Sequence, residues 1–301
     1  MIGELANSIK KLFSKGIHKR YEEPLFRDSN LQNEMAVKGY AVRPLLNTSE
    51  VEYLKQELNR LIDLLPGGLP DTHWTSGRLD DPKLRQIARE AVDKIVPARL
   101  HEYFDESVAD FIGGIFLAKK PSATSELYPH QDSSHVDEDV SFGVYAWIAL
   151  TDTTVHNGAM HALPGSHLFG NKHRSLNVPW LYSGLEKVMF KYLVPCEMKA
   201  GEVLFFDAAT IHYSSNNMSN EMRPAINFFV KPKQQMFLHH FIDDKTPAGK
   251  VEVFNVDIDF FYKEDFMQRP PARYKFLGYA DRITHKPTQQ EFEKMCINNR
   301  A

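Results

Sequence analysis

The chain has 301 residues, 43% of them hydrophobic and 25% charged, the profile of an ordinary folded protein. Its 36 Lys and Arg against 39 Asp and Glu leave a net charge of −3, which excludes a global basic field for nucleic acid or an anionic membrane. The longest apolar runs, 111–118 and 144–150, fall far short of the roughly 18 residues needed for stable membrane insertion. Cys196 and Cys296, 100 residues apart, form neither a disulfide framework nor a CxxC motif and read as reduced thiols of a cytoplasmic protein.

In chain order, residues 1–20 carry Ile2, Leu5, Ile9, Leu12, Phe13 and Ile17 at near-helical spacing among Lys10, Lys11, Lys15, Lys19 and Arg20. No continuous apolar stretch marks a secretory signal. The spacing predicts a helix packing its apolar stripe on its own domain, with a membrane-surface helix as the alternative. Residues 39–46 read as a strand. A helix follows from Ser49, with Glu52 as capping-box partner and Val51, Leu54, Leu58, Leu61, Ile62 and Leu65 on one face. Pro66-Gly67-Gly68 stops it, and residues 66–81 form a long loop of the kind that serves as a lid or binding loop. Pro82 opens a second amphipathic helix running to Ile95.

From about residue 108 the pattern changes to short strands: 111–120, 126–132, 142–151, 159–163, 202–207, 211–215 and 223–231. Asn157-Gly158 is a turn dipeptide between two of them, and Pro164-Gly165-Ser166 ends the next. Helices first and strands afterwards predict an α+β fold, a double-stranded β-helix of jelly-roll or cupin-like type over 108–232 braced by helices in 1–107. An extension over 233–301 carries an aromatic cluster (Phe254, Phe260, Phe261, Tyr262, Phe266) and a final helix from Thr288, the whole forming one domain over 1–301.

The chemistry begins at Tyr128-Pro129-His130-Gln131-Asp132. Residues i and i+2 of a strand point the same way, so His130 and Asp132 present an imidazole and a carboxylate to one point. His212, 82 residues further on, supplies a third ligand. Two histidines and one carboxylate make the facial triad of non-haem Fe(II) oxygenases, which leaves three octahedral positions open. Arg223 lies 11 residues past His212 at the start of a strand, placed to fork onto a dicarboxylate from a neighbouring antiparallel strand. Among 13 histidines a lone H-x-D pair says little, and His135-Val136-Asp137 is a second one. That second pair reads as an exposed loop, because the acidic run Asp137-Glu138-Asp139 follows a strand that has ended. Residues 157–167 read as a structural turn and strand, with His161 the member that has a claim on the cavity and His167 a support for the turn. His239 and His240 read as packing residues after the roll.

Together these motifs resemble the phytanoyl-CoA dioxygenase-like family of Fe(II)/2-oxoglutarate oxygenases. The resemblance covers residues 110–232 and rests on Pro129-His130-Gln131-Asp132, the aromatic strand at 144–150, the run at 157–167, and the segment 201–207 leading to His212 and Arg223. It implies that His130, Asp132 and His212 bind Fe(II), that Arg223 clamps the distal carboxylate of 2-oxoglutarate, and that the Ser214 hydroxyl assists it. Trp147 matches an aromatic position beside the co-substrate, and Lys120-Pro121 another co-substrate position.

The implied reaction consumes dioxygen and 2-oxoglutarate and hydroxylates an unactivated C–H bond, giving succinate and carbon dioxide. Related halogenases replace the carboxylate with a small residue, whereas Asp132 is present here. Desaturation or cyclisation at the same site, action on an acyl-CoA, and a non-catalytic metal- or ligand-binding jelly roll are the other readings. The net charge favours a small amino-acid-like or natural-product substrate over a CoA thioester, with no nucleic-acid partner and no stable membrane insertion.

Overall fold

The computed structural model describes residues 17–70 and 73–299. The amphipathic stretch expected over 1–20 lies almost wholly outside the described residues. Among the described residues no helix is long and apolar enough to cross a membrane.

The first long helix spans Thr48–Asp63, and its cap differs from the expected one. Asn47, not Ser49, is the N-cap: its side chain accepts from the Glu50 backbone N–H while the Glu50 carboxylate accepts from the Asn47 N–H, a reciprocal box two positions earlier than Ser49 and Glu52 would make. Glu52 pairs instead with Lys55 at 2.9 Å. Val51, Leu54, Leu58 and Leu61 are buried, as the spacing requires. Pro82 opens the helix Pro82–Asp93 behind the Asp81 N-cap, and Val96–Leu100 forms a separate short helix.

These helices lie against a six-stranded sheet. Its strands are β1 (Tyr40–Pro44), β2 (His73–Thr75), β3 (Ala109–Lys119), β5 (Val144–Ala149), β8 (Glu202–Asp207) and β10 (Arg223–Pro232), in the order β1-β8-β5-β10-β3-β2. The loop expected over 66–81 therefore contains an edge strand. Its partner sheet has the order β4-β9-β6-β7, from β4 (Leu127–His130), β6 (Met160–Ala162), β7 (Val194–Cys196) and β9 (His212–Ser214). The two antiparallel sheets form a jelly roll, and with the helices an α+β protein.

Alternation divides the larger sheet into two faces. Phe116, Ile148, Phe205 and Phe228 pack with Leu54, Leu58 and Val92 of the helices. Leu117, Trp147, Leu204, Phe206 and Ala225 face inward with Met160 and Met198. Burial on both faces is why 144–149 reads as a continuous apolar run.

Asn157-Gly158 does not join two hydrogen-bonded neighbours. It lies in the connection that carries the chain from β5 in one sheet to β6 in the other. The extension is also more ordered than its sequence pattern suggests: β11 (Leu238–Phe241), β12 (Lys250–Asn255) and β13 (Lys275–Asp281) build a three-stranded sheet. The final helix, Gln289–Asn298, starts behind Thr288 with Glu291 completing its box.

Candidate metal centre and cavity

The β4–β9 ladder sets His130 directly opposite His212, with ring centroids 4.2 Å apart. Asp132 lies just beyond the end of β4 and not within it. Its backbone carbonyl accepts from Arg174 Nε at 2.8 Å, and Gln131, whose amide donates to Ala209 O at 2.6 Å, holds the intervening residue. The ligand atoms of His130, Asp132 and His212 lie within 4.8 Å of one another. Asp132 offers one oxygen to each imidazole Nε2, at 3.9 Å in both cases.

The tautomers suit a metal. His130 Nδ1 lies 2.7 Å from the Tyr128 carbonyl and His212 Nδ1 3.0 Å from the Thr210 carbonyl. A ring nitrogen facing a carbonyl must carry the proton, which leaves each Nε2 lone pair directed at the common point. Burial, with His212 beside it, holds His130 down to about 4, so it stays a neutral ligand near pH 7.

Arg223 starts β10, and β10 belongs to the sheet opposite His212, not to a neighbouring strand. Its guanidinium reaches across. Nη1 donates to the Gly158 carbonyl and lies 3.4 Å from Ser214 Oγ, while Cζ sits 4.9 Å over the Trp147 ring. Lys120 is displaced from this group: its Nζ donates to the Leu69 carbonyl at 2.9 Å. The preceding residue takes the place, because alternation along β3 puts Lys119 on the inward face with Ile115 and Leu117. Lys119 Nζ lies 2.6 Å from Ser214 Oγ and 2.7 Å from the Ser215 carbonyl.

Lys119 is 0% exposed and Arg223 2%, and neither forms an ion pair among the described residues. Burial, then the nearby Arg223 charge, pushes Lys119 down to about 6, and burial alone pushes Arg223 down to about 10. Arg223 Nε is buried without a hydrogen-bond partner. A guanidinium and a lysine amine sharing one serine, with no acid between them, form a receptor for an anion, whose charge would also draw a proton onto Lys119, and that donor set fits a carboxylate beside a metal.

Gly158 belongs to this end too. Its φ of 88° is in the left-handed region, and a Cβ there would come within 2.9 Å of Lys119 Cδ and of the Ser215 carbonyl. The turn dipeptide was legible, but nothing in it signalled that the Gly158 carbonyl meets Arg223.

A cavity of about 1060 Å³ lies over these groups. His135 lines it and is buried, whereas Asp137 is exposed, so the second H-x-D pair is an exposed loop at its aspartate only. Glu138 of the acidic run is buried as well, accepting two bonds from Arg174 at 2.6 and 2.7 Å. The His161 ring packs tilted against Tyr213 at 5.3 Å and does not line the cavity, and His167 Nε2 lies 3.1 Å from the Ala36 carbonyl, which ties 166–168 to the helix Ser29–Lys38. His239 lines the cavity from the extension, whereas His240 turns away to Ser134.

A jelly roll carrying two histidines on paired neighbouring strands and an aspartate just past the end of one, with a buried cationic pocket beside them, defines a candidate mononuclear metal protein of the cupin-like class. The chain belongs to the phytanoyl-CoA dioxygenase family, whose model matches residues 37–225. Among relatives, phytanoyl-CoA dioxygenase of Arabidopsis thaliana is 32% identical over 179 residues, 50% of this chain and 61% of that protein. Phytanoyl-CoA dioxygenase domain-containing protein 1 of Bos taurus is 27% identical over 159 residues, 48% of this chain and 55% of that protein. The chain thus matches between about half and three fifths of their lengths. Of solved structures, HygX from Streptomyces hygroscopicus, with nickel and 2-oxoglutarate bound, superposes with a TM-score of 0.50 at 20% identity, over 69% of this chain and 88% of that one. EvdO2 from Micromonospora carbonacea var. aurantiaca gives 0.50 at 22% identity, over 68% and 91%. These two share the fold.

Proposed function

We propose that the chain is one Fe(II)/2-oxoglutarate-dependent oxygenase domain that hydroxylates a C–H bond of a small molecule. The observation that carries this is the pair of buried basic side chains, Lys119 and Arg223, converging on Ser214 beside the His130, Asp132 and His212 cluster. HygX, which has the same fold, was solved with 2-oxoglutarate. Iron with 2-oxoglutarate supplies oxidative decarboxylation, in which dioxygen gives one oxygen atom to succinate and the other to a C–H bond.

The residues of this chain would divide the remaining work. Arg223, Lys119 and Ser214 hold the distal carboxylate, and the Trp147 face under the guanidinium fixes its plane. The Tyr128 and Thr210 carbonyls orient the two imidazoles, and Phe206, 4.8 Å from the His212 ring, keeps water from that side. Asp132 would hold the metal where a halide would otherwise bind, which favours oxygen transfer over halogenation. The buried Cys196 and Cys296 suit a cytoplasmic enzyme.

The test needs no known substrate. The protein supplied with Fe(II), 2-oxoglutarate and air should form succinate slowly, and His130→Ala should abolish this. Absence of succinate from the unsubstituted, iron-loaded protein would favour a non-catalytic binding role. Once a substrate is in hand, labelled dioxygen should place one labelled atom in the product per succinate, and a product two hydrogens lighter without label would make the enzyme a desaturase.

A further inference from the structure

The family match ends at residue 225, and the side chains that complete the cavity come after it. Alternation along β10 aims Arg223, Asn227 and Phe229 inward, so the strand runs from a cationic end to an aromatic one. From the candidate ligand His212 a chain of rings leads away: Phe206 at 4.8 Å, then Tyr145 at 5.5 Å, Phe229 at 4.8 Å, Phe237 at 6.0 Å and Phe261 at 5.4 Å, each measured from the ring before it. Such a wall favours apolar surface.

Two imidazoles stand in this wall. The His135 ring touches Phe229, Phe237 and Phe261 at 5.1 to 5.2 Å, and its Nδ1 lies 3.1 Å from the Leu238 carbonyl, which leaves the Nε2 lone pair for an incoming donor. His239 is 3% exposed and has no hydrogen bond at either ring nitrogen. Its ring packs 4.8 Å from Phe260. Asn227 Oδ1 is also buried without a partner. Unmade hydrogen bonds at buried atoms are costly, and a ligand oxygen would satisfy them.

At this end the Arg174 guanidinium, which also lines the cavity, is neutralised by its two bonds to Glu138. Burial keeps both imidazoles neutral, holding His135 down to about 4 and His239 to about 3. The acids lining the cavity among the described residues are Asp132 and Glu126, and Glu126 accepts from the Tyr213 hydroxyl at 3.2 Å. Asp132 turns its two oxygens to His130 and His212, which leaves no further carboxylate beside these rings among the described residues to take an ammonium group.

We infer that the substrate of this centre is a neutral, mainly apolar molecule carrying a hydroxyl or carbonyl group, and that His239 is the specificity residue that recognises that oxygen. The inference rests on the oxygenase reading above and narrows its substrate away from amino-acid-like compounds.

Calorimetric titration of the full-length protein with borneol, a neutral bicyclic alcohol, and with bornylamine, its cationic counterpart, tests it. Borneol should bind at concentrations of about 1 mM or below, and bornylamine at pH 7 at least about ten-fold more weakly. His239→Phe should weaken borneol by about five- to ten-fold, and His239→Gln, which keeps a donor and an acceptor, should restore it to within about two-fold. Neither variant should melt below the parent, and both should keep its 2-oxoglutarate affinity, which separates lost recognition from lost folding. No borneol binding, bornylamine binding as tight as borneol, or borneol affinity unchanged in His239→Phe overturns the inference. A protein that takes borneol through His239 but forms no succinate would retain the pocket chemistry and lose the oxygenase reading, and the reverse pattern would do the opposite.

Discussion

At the residue scale, two histidines with the same H-x-D context have opposite fates. His130 directs its Nε2 at Asp132, while His135 spends its ring on Phe229, Phe237 and Phe261. His130→Ala should therefore abolish stoichiometric Fe(II) binding in equilibrium dialysis, and His135→Ala should leave it intact. The reverse pattern would move the metal to His135. The cationic pair gives a second expectation. Removing one partner of a buried charged contact costs about 2–5 kcal/mol, or about 30-fold to a few thousand-fold in affinity. Arg223→Met should weaken 2-oxoglutarate by that order with iron affinity unchanged. Because Arg223 is a buried cation with no acid to neutralise it, the ligand-free Arg223→Met protein should melt no lower than its parent. Lys119→Met should also weaken 2-oxoglutarate, whereas Lys120→Met should not, since Lys120 Nζ donates to the Leu69 carbonyl. An unchanged 2-oxoglutarate requirement in Arg223→Met would mean another group holds the co-substrate.

At the scale of elements, what could be read from the sequence follows from burial pattern. β8 and β10 were readable because they are long apolar runs between turns, and the Thr48–Asp63 helix because its stripe has helical period. The cap was misplaced by two residues because Asn47, Thr48 and Ser49 are all good caps, and only the Glu50 reach decides among them. Lys119 was missed in favour of Lys120 although the period of β3, through Ile115 and Leu117, already selected it. β11 and β13 left no signal: Leu238, His239, His240 and Phe241 are all buried, and Lys275–Asp281 is largely exposed, so neither alternates in hydropathy. The extension's own core carries a prediction. Phe254 is 1% exposed and packs in one cluster with Phe229, Phe237, Phe241 and Phe260. Phe254→Ala should cost about 3–5 kcal/mol in chemical denaturation and speed proteolysis within 238–281. Since Arg223 and Lys119 lie at the other end of the inner face, 2-oxoglutarate affinity should change by no more than about two-fold. A large loss of that affinity would show that the extension props the cationic pocket as well.

For the whole molecule, the buried histidines tie stability to pH. Burial holds His135 and His167 down to about 4 and His239 to about 3, and drives His240 well below its ordinary value of 6.5. In the folded protein these rings stay neutral until the pH approaches 4, whereas in the unfolded chain each takes a proton below about 6.5. The unfolded state then binds more protons, so unfolding becomes easier as pH falls, and the stability these groups withhold is fully recovered only above about 6.5. Each contributes a slope of up to about 1.4 kcal/mol per pH unit across that window. Stability from denaturant titrations should therefore decline steeply between pH 6.5 and 4. The sign is opposite to that of a histidine raised by an acidic partner, which would stabilise the fold in the same range. His135→Phe replaces one such ring with an apolar one in a cage already built from three phenylalanines, so it should flatten the slope by about one group's share. An unchanged slope in His135→Phe would mean that the His135 ring is already protonated in the folded protein, contrary to its bond to the Leu238 carbonyl and its three aromatic neighbours.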